Sequence, residues 1–125
     1  MTAANKPLYI EQGATFTFSF NWYYDNVTTP GTPGAPHDLT GCTARMQIRK
    51  TQGSDILVNA SSSGTLPMIV LGGTSGSITI KFPDTITDNL ISDTALYDLE
   101  IQQSNGDVFR LLSGKITISP NITQT

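Results

Sequence analysis

A chain of 125 residues is long enough to form one domain and to bury about two-thirds of its unfolded surface without disulfides or metals. Charged residues make up 14% of it, below the usual ~25%; hydrophobic residues make up 38%, and aromatic and β-branched side chains recur throughout, which excludes a disordered chain. The net charge is −3 and the seven Lys and Arg are scattered along the sequence, which excludes a basic stripe and argues against a nucleic-acid partner.

In chain order, residues 1–6 are polar and read as a flexible N-terminal arm. Pro7 to Ile10 is a short extended segment, and Gly13 marks a bend where the chain changes sheets. Phe16, Phe18, Phe20 and Trp22 then fall on every second residue, with Thr15, Thr17, Ser19 and Asn21 between them. Period 2 places the rings on one face of a strand and the polar residues on the other, so the row is expected as core. Trp22-Tyr23-Tyr24 leaves that strand and turns at least one ring to solvent. Residues 26–36, NVTTPGTPGAP, are expected to form neither helix nor ladder. At this length such a loop is either a mobile decoration or a contact ordered by a neighbour.

Residues 39–50 alternate again, Cys42, Ala44, Met46 and Ile48 against Arg45, Gln47 and Arg49. Ile56 to Ala60 reads as a strand, Leu66 to Leu71 as an apolar run closed by Gly72-Gly73, and Ile78, Ile80 and Phe82 as one face of a further strand. Pro83, followed by acidic residues and by Ile86 and Leu90 four apart, predicts a short helical turn near 84–90. Tyr97, Leu99 and Ile101 point inward from the next strand, with Asp98, Glu100 and Gln102 outward. Asn105-Gly106 predicts a hairpin turn into Val108–Leu112, Gly114 separates a last strand from Lys115 to Ser119, and Pro120 ends the ladder. Residues 7–120 are thus expected as one all-β domain, followed by a tail at 121–125. Its architecture is an antiparallel immunoglobulin-like β-sandwich of about 7–9 strands with one helical turn. Tyr97 stands where such domains carry a corner tyrosine, while their Cys…Trp…Cys arrangement is absent.

Motifs that carry chemistry are sparse. Cys42 is the only cysteine, so no intrachain disulfide or thiolate metal site can form, and its alternating position makes it a small core residue. His37 stands alone beside the Pro-Gly segment and reads as a solvated loop residue. Asp84, Asp88, Asp93 and Asp98 lack the spacing and glycine of a calcium loop and fit turn and helix-start roles better. Gly72-Gly-Thr-Ser-Gly76 lacks the Lys-Ser/Thr of a phosphate cradle and reads as a hairpin loop. With no nucleophile motif either, the chain is expected not to be an enzyme and to use no cofactor or small-molecule substrate. No apolar run approaches the ~20 residues of a membrane helix, and residues 1–6 lack a signal-peptide core, so a chain made in a cytoplasm with no membrane partner is expected.

Five segments, Ile10 to Phe16, Asp38 to Arg49 (DLTGCTARMQIR), Gly76 to Ile80, Leu96 to Ile101 and Val108 to Pro120, together resemble a family of small bacteriophage virion proteins. The likeness is to Ig-like tail and baseplate modules, such as the N-terminal domain of siphophage baseplate upper proteins. It runs from about residue 8 to 122, with Cys42 where the pattern has an aromatic residue and with the insertion at 26–36. The resemblance implies a virion structural protein of the tail or baseplate, an adaptor or fibre anchor whose partners are other phage structural proteins and copies of itself. A capsid decoration protein is the alternative, and a host-surface carbohydrate binder an alternative of another class. The expected partner contacts are Trp22, Tyr23, Tyr24, Thr29, Pro30, Pro33 and His37.

Overall fold

A computed structural model describes residues 3–25, 33–90 and 93–120. Among these the chain is mostly β, with eleven strand segments: β1 (Ala4–Asn5), β2 (Leu8–Glu11), β3 (Phe16–Asn21), β4 (Tyr23–Asp25), β5 (Pro33–Pro36), β6 (Thr43–Arg49), β7 (Ile56–Ser61), β8 (Ile69–Leu71), β9 (Ser77–Phe82), β10 (Thr94–Gln102) and β11 (Val108–Ser119). A 3-10 turn (Gly73–Ser75) and one helical turn, α1 (Asp84–Thr87), complete it. There are more segments than the seven to nine expected, because the two-residue β1 and the Pro-bounded β5 show no periodicity to read and the aromatic strand divides at Trp22.

A six-stranded sheet has the order β1-β11-β10-β6-β7, with β2 also on the β1 side of β11. The pairs β11-β10, β10-β6 and β6-β7 are antiparallel, whereas β1 and β2 run parallel to β11. A second, antiparallel sheet has the order β3-β9-β8, and β4 and β5 form a separate two-stranded pair. Gly13, at φ 81°, turns the chain from β2 in one sheet to β3 in the other, as the sequence suggested.

Met46, Ile48, Leu99, Ile101 and Ile116 from the six-stranded sheet and Ile78, Ile80 and Phe82 from the smaller one form a single buried cluster. Each such side chain stabilises the fold by about 1.5–3 kcal/mol relative to exposure. The aromatic row faces this cluster, yet Phe16, Phe18 and Phe20 are only partly buried. The reason is position, since β3 is an edge strand while β9 beside it is central, with Ile78, Ile80 and Phe82 fully buried. The Lys6 ammonium lies 5.7 Å from the centre of the Phe18 ring and shields part of that edge. Cys42 is likewise only partly buried, just before β6 begins, and burial pushes its thiol pKa up.

Several local expectations change. Within the arm expected at residues 1–6, Ala4 and Asn5 pair with Leu112 and Ser113. Gly114 does not break β11; its small size lets the N-terminal segment cross closely, since a Cβ there would lie 2.6 Å from the Lys6 carbonyl. Leu111 and Leu112 are buried side by side because the β10–β11 register slips by one residue there, a β-bulge. Of the run 66–71 only Ile69–Leu71 is a strand, and Leu66, before Pro67, is 91% exposed. In the hairpin before β11, only Gly106 takes positive φ, and Gln103 N–H donates to Asp107 O across a three-residue loop. The Tyr97 hydroxyl is no corner tyrosine bonding locally; it donates to the distant Lys6 carbonyl at 2.6 Å. The helical turn forms where expected, and the buried Thr87 hydroxyl fastens it by donating to Ala14 O at 2.8 Å.

Candidate functional site

Three stretches of backbone meet where β3 ends. Trp22 N–H donates to Gly76 O at 2.9 Å, His37 N–H to Trp22 O at 2.8 Å, and Leu39 N–H to Gly73 O at 2.9 Å. The approach is possible because residue 76 is glycine: its φ is +71°, and a Cβ would lie 2.6 Å from the Trp22 carbonyl oxygen and 3.1 Å from His37 N. The segment 33–36, expected to form no ladder, reaches this junction as β5. It pairs Pro36 with Tyr23 and Pro33 with Asp25 across a register shift. A two-stranded edge pair tolerates prolines because few N–H groups are needed there.

Folding back in this way places His37 between two rings. Its imidazole lies 3.6 Å from the Trp22 ring centre at 5° to its plane, and 3.7 Å from the Tyr24 ring centre at 24°. Phe109 of β11 packs tilted against Trp22, 5.9 Å away. Stacked aromatic pairs contribute about 0.5–1.5 kcal/mol beyond burial. His37 is therefore not the solvated loop residue expected, and burial lowers its pKa from the ordinary 6.5. Next to it, the Thr40 hydroxyl and N–H both donate to Asp38 Oδ1, at 2.6 and 3.0 Å, and hold that carboxyl below its usual value. Two ring nitrogens of the stack, Trp22 Nε1 and His37 Nδ1, are buried without a protein partner.

Of the expected contacts, Trp22, Tyr24 and His37 form one column. Trp22 is 8% exposed, with His37 and Phe109 packed on it, so it offers no open platform, whereas Tyr24 is 51% exposed and Tyr23 is also well exposed. Pro33 sits on β5, and Thr29 and Pro30 lie outside the described residues. Gly76 and Phe109, which complete the junction, carry no sequence signal beyond a glycine in a turn and an aromatic in a strand.

The fold also gathers charges that look scattered in sequence. On the outer face of the six-stranded sheet, Glu100 stands opposite Arg45 on one side and Arg110 on the other, and Leu96 opposite Arg49 and Lys115. All three arginines of the chain thus share one face, interleaved there with Asp98 and Glu100. Arg45 pairs with Glu100 at 2.9 Å and Arg110 with Asp98 at 3.4 Å, while Arg49 donates to Gln47 Oε1 and to the Ser54 carbonyl. A cleft of about 340 Å³ lies over this face, lined by Arg49, Leu96, Asp98 and Arg110 and by the turn at 51–53. Among the described residues, no group of three His, Cys, Asp or Glu is arranged to hold a metal ion. No family model matches the chain, and no curated protein matches it.

Proposed function

We propose that the chain is an Ig-like sandwich serving as a docking module of a bacteriophage tail or baseplate. Strand order supports the fold half of this reading. The order β3-β9-β8 corresponds to strands B, E and D of immunoglobulin domains, and β11-β10-β6-β7 to G, F, C and C′. The N-terminal strands lie on β11 rather than beside β3, a departure from constant-type domains. The phage half rests on the five resembling segments, which fall on β2, β6, β9, β10, β11 and the chain around them.

The observation that carries the docking role is the state of the sheet edges. β3, β7 and β8 are edge strands among the described residues, and none of the three contains a charged residue or a proline, although β7 carries a β-bulge at Leu57 and Lys6 lies over part of the β3 edge, which leaves β8 the barest of them. Proteins that stay monomeric usually guard such edges with Lys, Pro or bulges, because free N–H and C=O groups recruit another strand. Leu57 of β7 and Val70 of β8, the latter 56% exposed, add apolar side chains along the same side, with Leu66 on the connection between them. A module whose edges are meant to be covered by neighbours has this composition, and an added strand from a partner would complete either sheet.

Particles of the phage encoding this chain test the reading. Mass spectrometry of purified virions, with immunogold labelling, is expected to find the chain on tails. Labelling on heads would replace the tail assignment with capsid decoration, and absence from particles would overturn the virion reading.

A further inference from the structure

Among the described residues, β3 pairs with β9 alone over six residues, whereas the β7 edge is interrupted by its bulge and β8 is three residues long. The hydrogen-bonding phase of the β3 edge follows from its neighbours. Trp22 N–H donates to Gly76 O, and on the far side of β9 Lys81 N–H donates to Met68 O. Bonded pairs alternate along an antiparallel ladder, so Phe16, Phe18 and Phe20 exchange their bonds with Phe82, Ile80 and Ile78. The N–H and C=O groups of Thr17, Ser19 and Asn21 therefore point away from β9, and all three residues are exposed. Phe16, Phe18 and Phe20 line the inner face and stay partly exposed, with the rings of Phe18 and Phe20 5.7 Å apart.

This edge reads alike in both directions. Counted outward from Ser19, its neighbours are Phe18 and Phe20, then Thr17 and Asn21. An antiparallel copy set on it by a two-fold axis at Ser19 meets matching chemistry at each position. Ser19 exchanges two main-chain bonds with Ser19 of the second copy, and Thr17 and Asn21 exchange two with each other on either side. Phe18 stands opposite Phe20 of the second copy in the closer, non-bonded positions, so half-buried rings from both chains cover one another on the inner face. On the outer face hydroxyl meets hydroxyl at Ser19, and hydroxyl meets amide where Thr17 faces Asn21.

We propose that two copies of the chain join through β3 of each in this register, merging their β3-β9-β8 sheets into one continuous sheet. The contact is isologous and closes at two copies. Backbone phase and side-chain order together select this occupant, because a strand of another protein has no need of an edge symmetric about Ser19. The Lys6 side chain, exposed and 5.7 Å from the centre of the Phe18 ring, is flexible and swings aside as the rings of the second copy arrive. The inference deepens the docking reading by naming a partner, and it rests on that reading only for its biological setting.

Sedimentation equilibrium of the full chain is expected to show a mass that rises with concentration from 13.4 kDa to twice that value and no further. Because residue 19 meets its own copy, Ser19→Lys and Ser19→Glu each set like charges directly opposite one another. Each is expected to raise the dissociation constant about tenfold or more. Mixing the two variants is expected to restore the pair, which also establishes that both fold. Val70→Lys, on the edge of β8, is expected to leave the dissociation constant unchanged. A chain still monomeric at about 1 mM, growth beyond two copies, or a dimer indifferent to both Ser19 variants overturns the proposal. So does a mixture that stays monomeric, or a dimer weakened equally by Val70→Lys. Absence of the chain from virions would overturn the docking reading and leave this contact standing.

Discussion

Replacing Gly76 by alanine tests the junction that holds the ring column. A non-glycine residue at φ +71° costs about 1–2 kcal/mol in strain. The new Cβ would also lie 2.6 Å from the Trp22 carbonyl and 3.1 Å from His37 N and O, all backbone atoms that no rotamer change can move aside. Relieving that overlap pulls apart the bonds from Trp22 N–H to Gly76 O and from His37 N–H to Trp22 O, each contributing about 0.5–1.5 kcal/mol. The expected loss is about 3 kcal/mol, a large part of the ~5–15 kcal/mol of an ordinary domain. Gly73→Ala is the matched control, because its φ is +64° but nothing lies within 4 Å of its added Cβ, so it should lose only about 1 kcal/mol. Urea unfolding followed by the fluorescence of Trp22, the single tryptophan, measures both. If Gly76→Ala is as stable as Gly73→Ala, the close approach at residue 76 does not hold the junction together and the reasoning fails.

Two further predictions concern titrating rings. Burial makes the folded chain bind the His37 proton less tightly than the unfolded chain, so stability is full above pH 6.5 and falls as pH drops below it. Urea midpoints at pH 7.5 and 5.5 should show this drop and His37→Phe should reduce it; a gain on acidification would mean instead that Trp22 and Tyr24 hold the imidazolium by cation–π attraction. Burial pushes the Tyr97 phenol up to about 12, so stability is full below pH 10 and is lost as pH rises toward 12. Tyr97→Phe should abolish the late-titrating phenol in an absorbance titration and, by freeing the Lys6 carbonyl, cost about 1 kcal/mol and speed amide exchange at Lys6. Unchanged exchange would show that the hydroxyl does not tether the N-terminal segment.

The strands that alternate cleanly in sequence are the ones the fold uses as expected: Ala44, Met46 and Ile48, then Ile78, Ile80 and Phe82, then Tyr97, Leu99 and Ile101 are all buried. Period 2 is a property of the strand alone, so it survives any arrangement of neighbours. What alternation leaves open is which strand lies beside which. Edge placement makes the β3 rings half-buried instead of core, and pairing assembles arginines from β6 and β11 on one surface. The ring column is hidden for the same reason. His37 lies thirteen residues after Tyr24, and only the return of the chain through β5 brings it between Trp22 and Tyr24. Gly114 reads as a separator because a glycine needed for close approach and a glycine that ends a strand are the same letter.

The parallel seating of β2 on β11, with Leu8 beside Ile116 and Ile10 beside Ile118, has a consequence for synthesis. β2 leaves the ribosome about a hundred residues before β11 and must wait for it before it finds its partner, while β6 and β7, joined by a short turn, can pair almost at once. Until then Leu8 and Ile10, both buried in the finished fold, stay in water and open to capture by another nascent chain. Two chains that exchange β2 would each have this seat on β11 filled, and slow translation between β2 and β11 should raise the yield of such interlocked pairs.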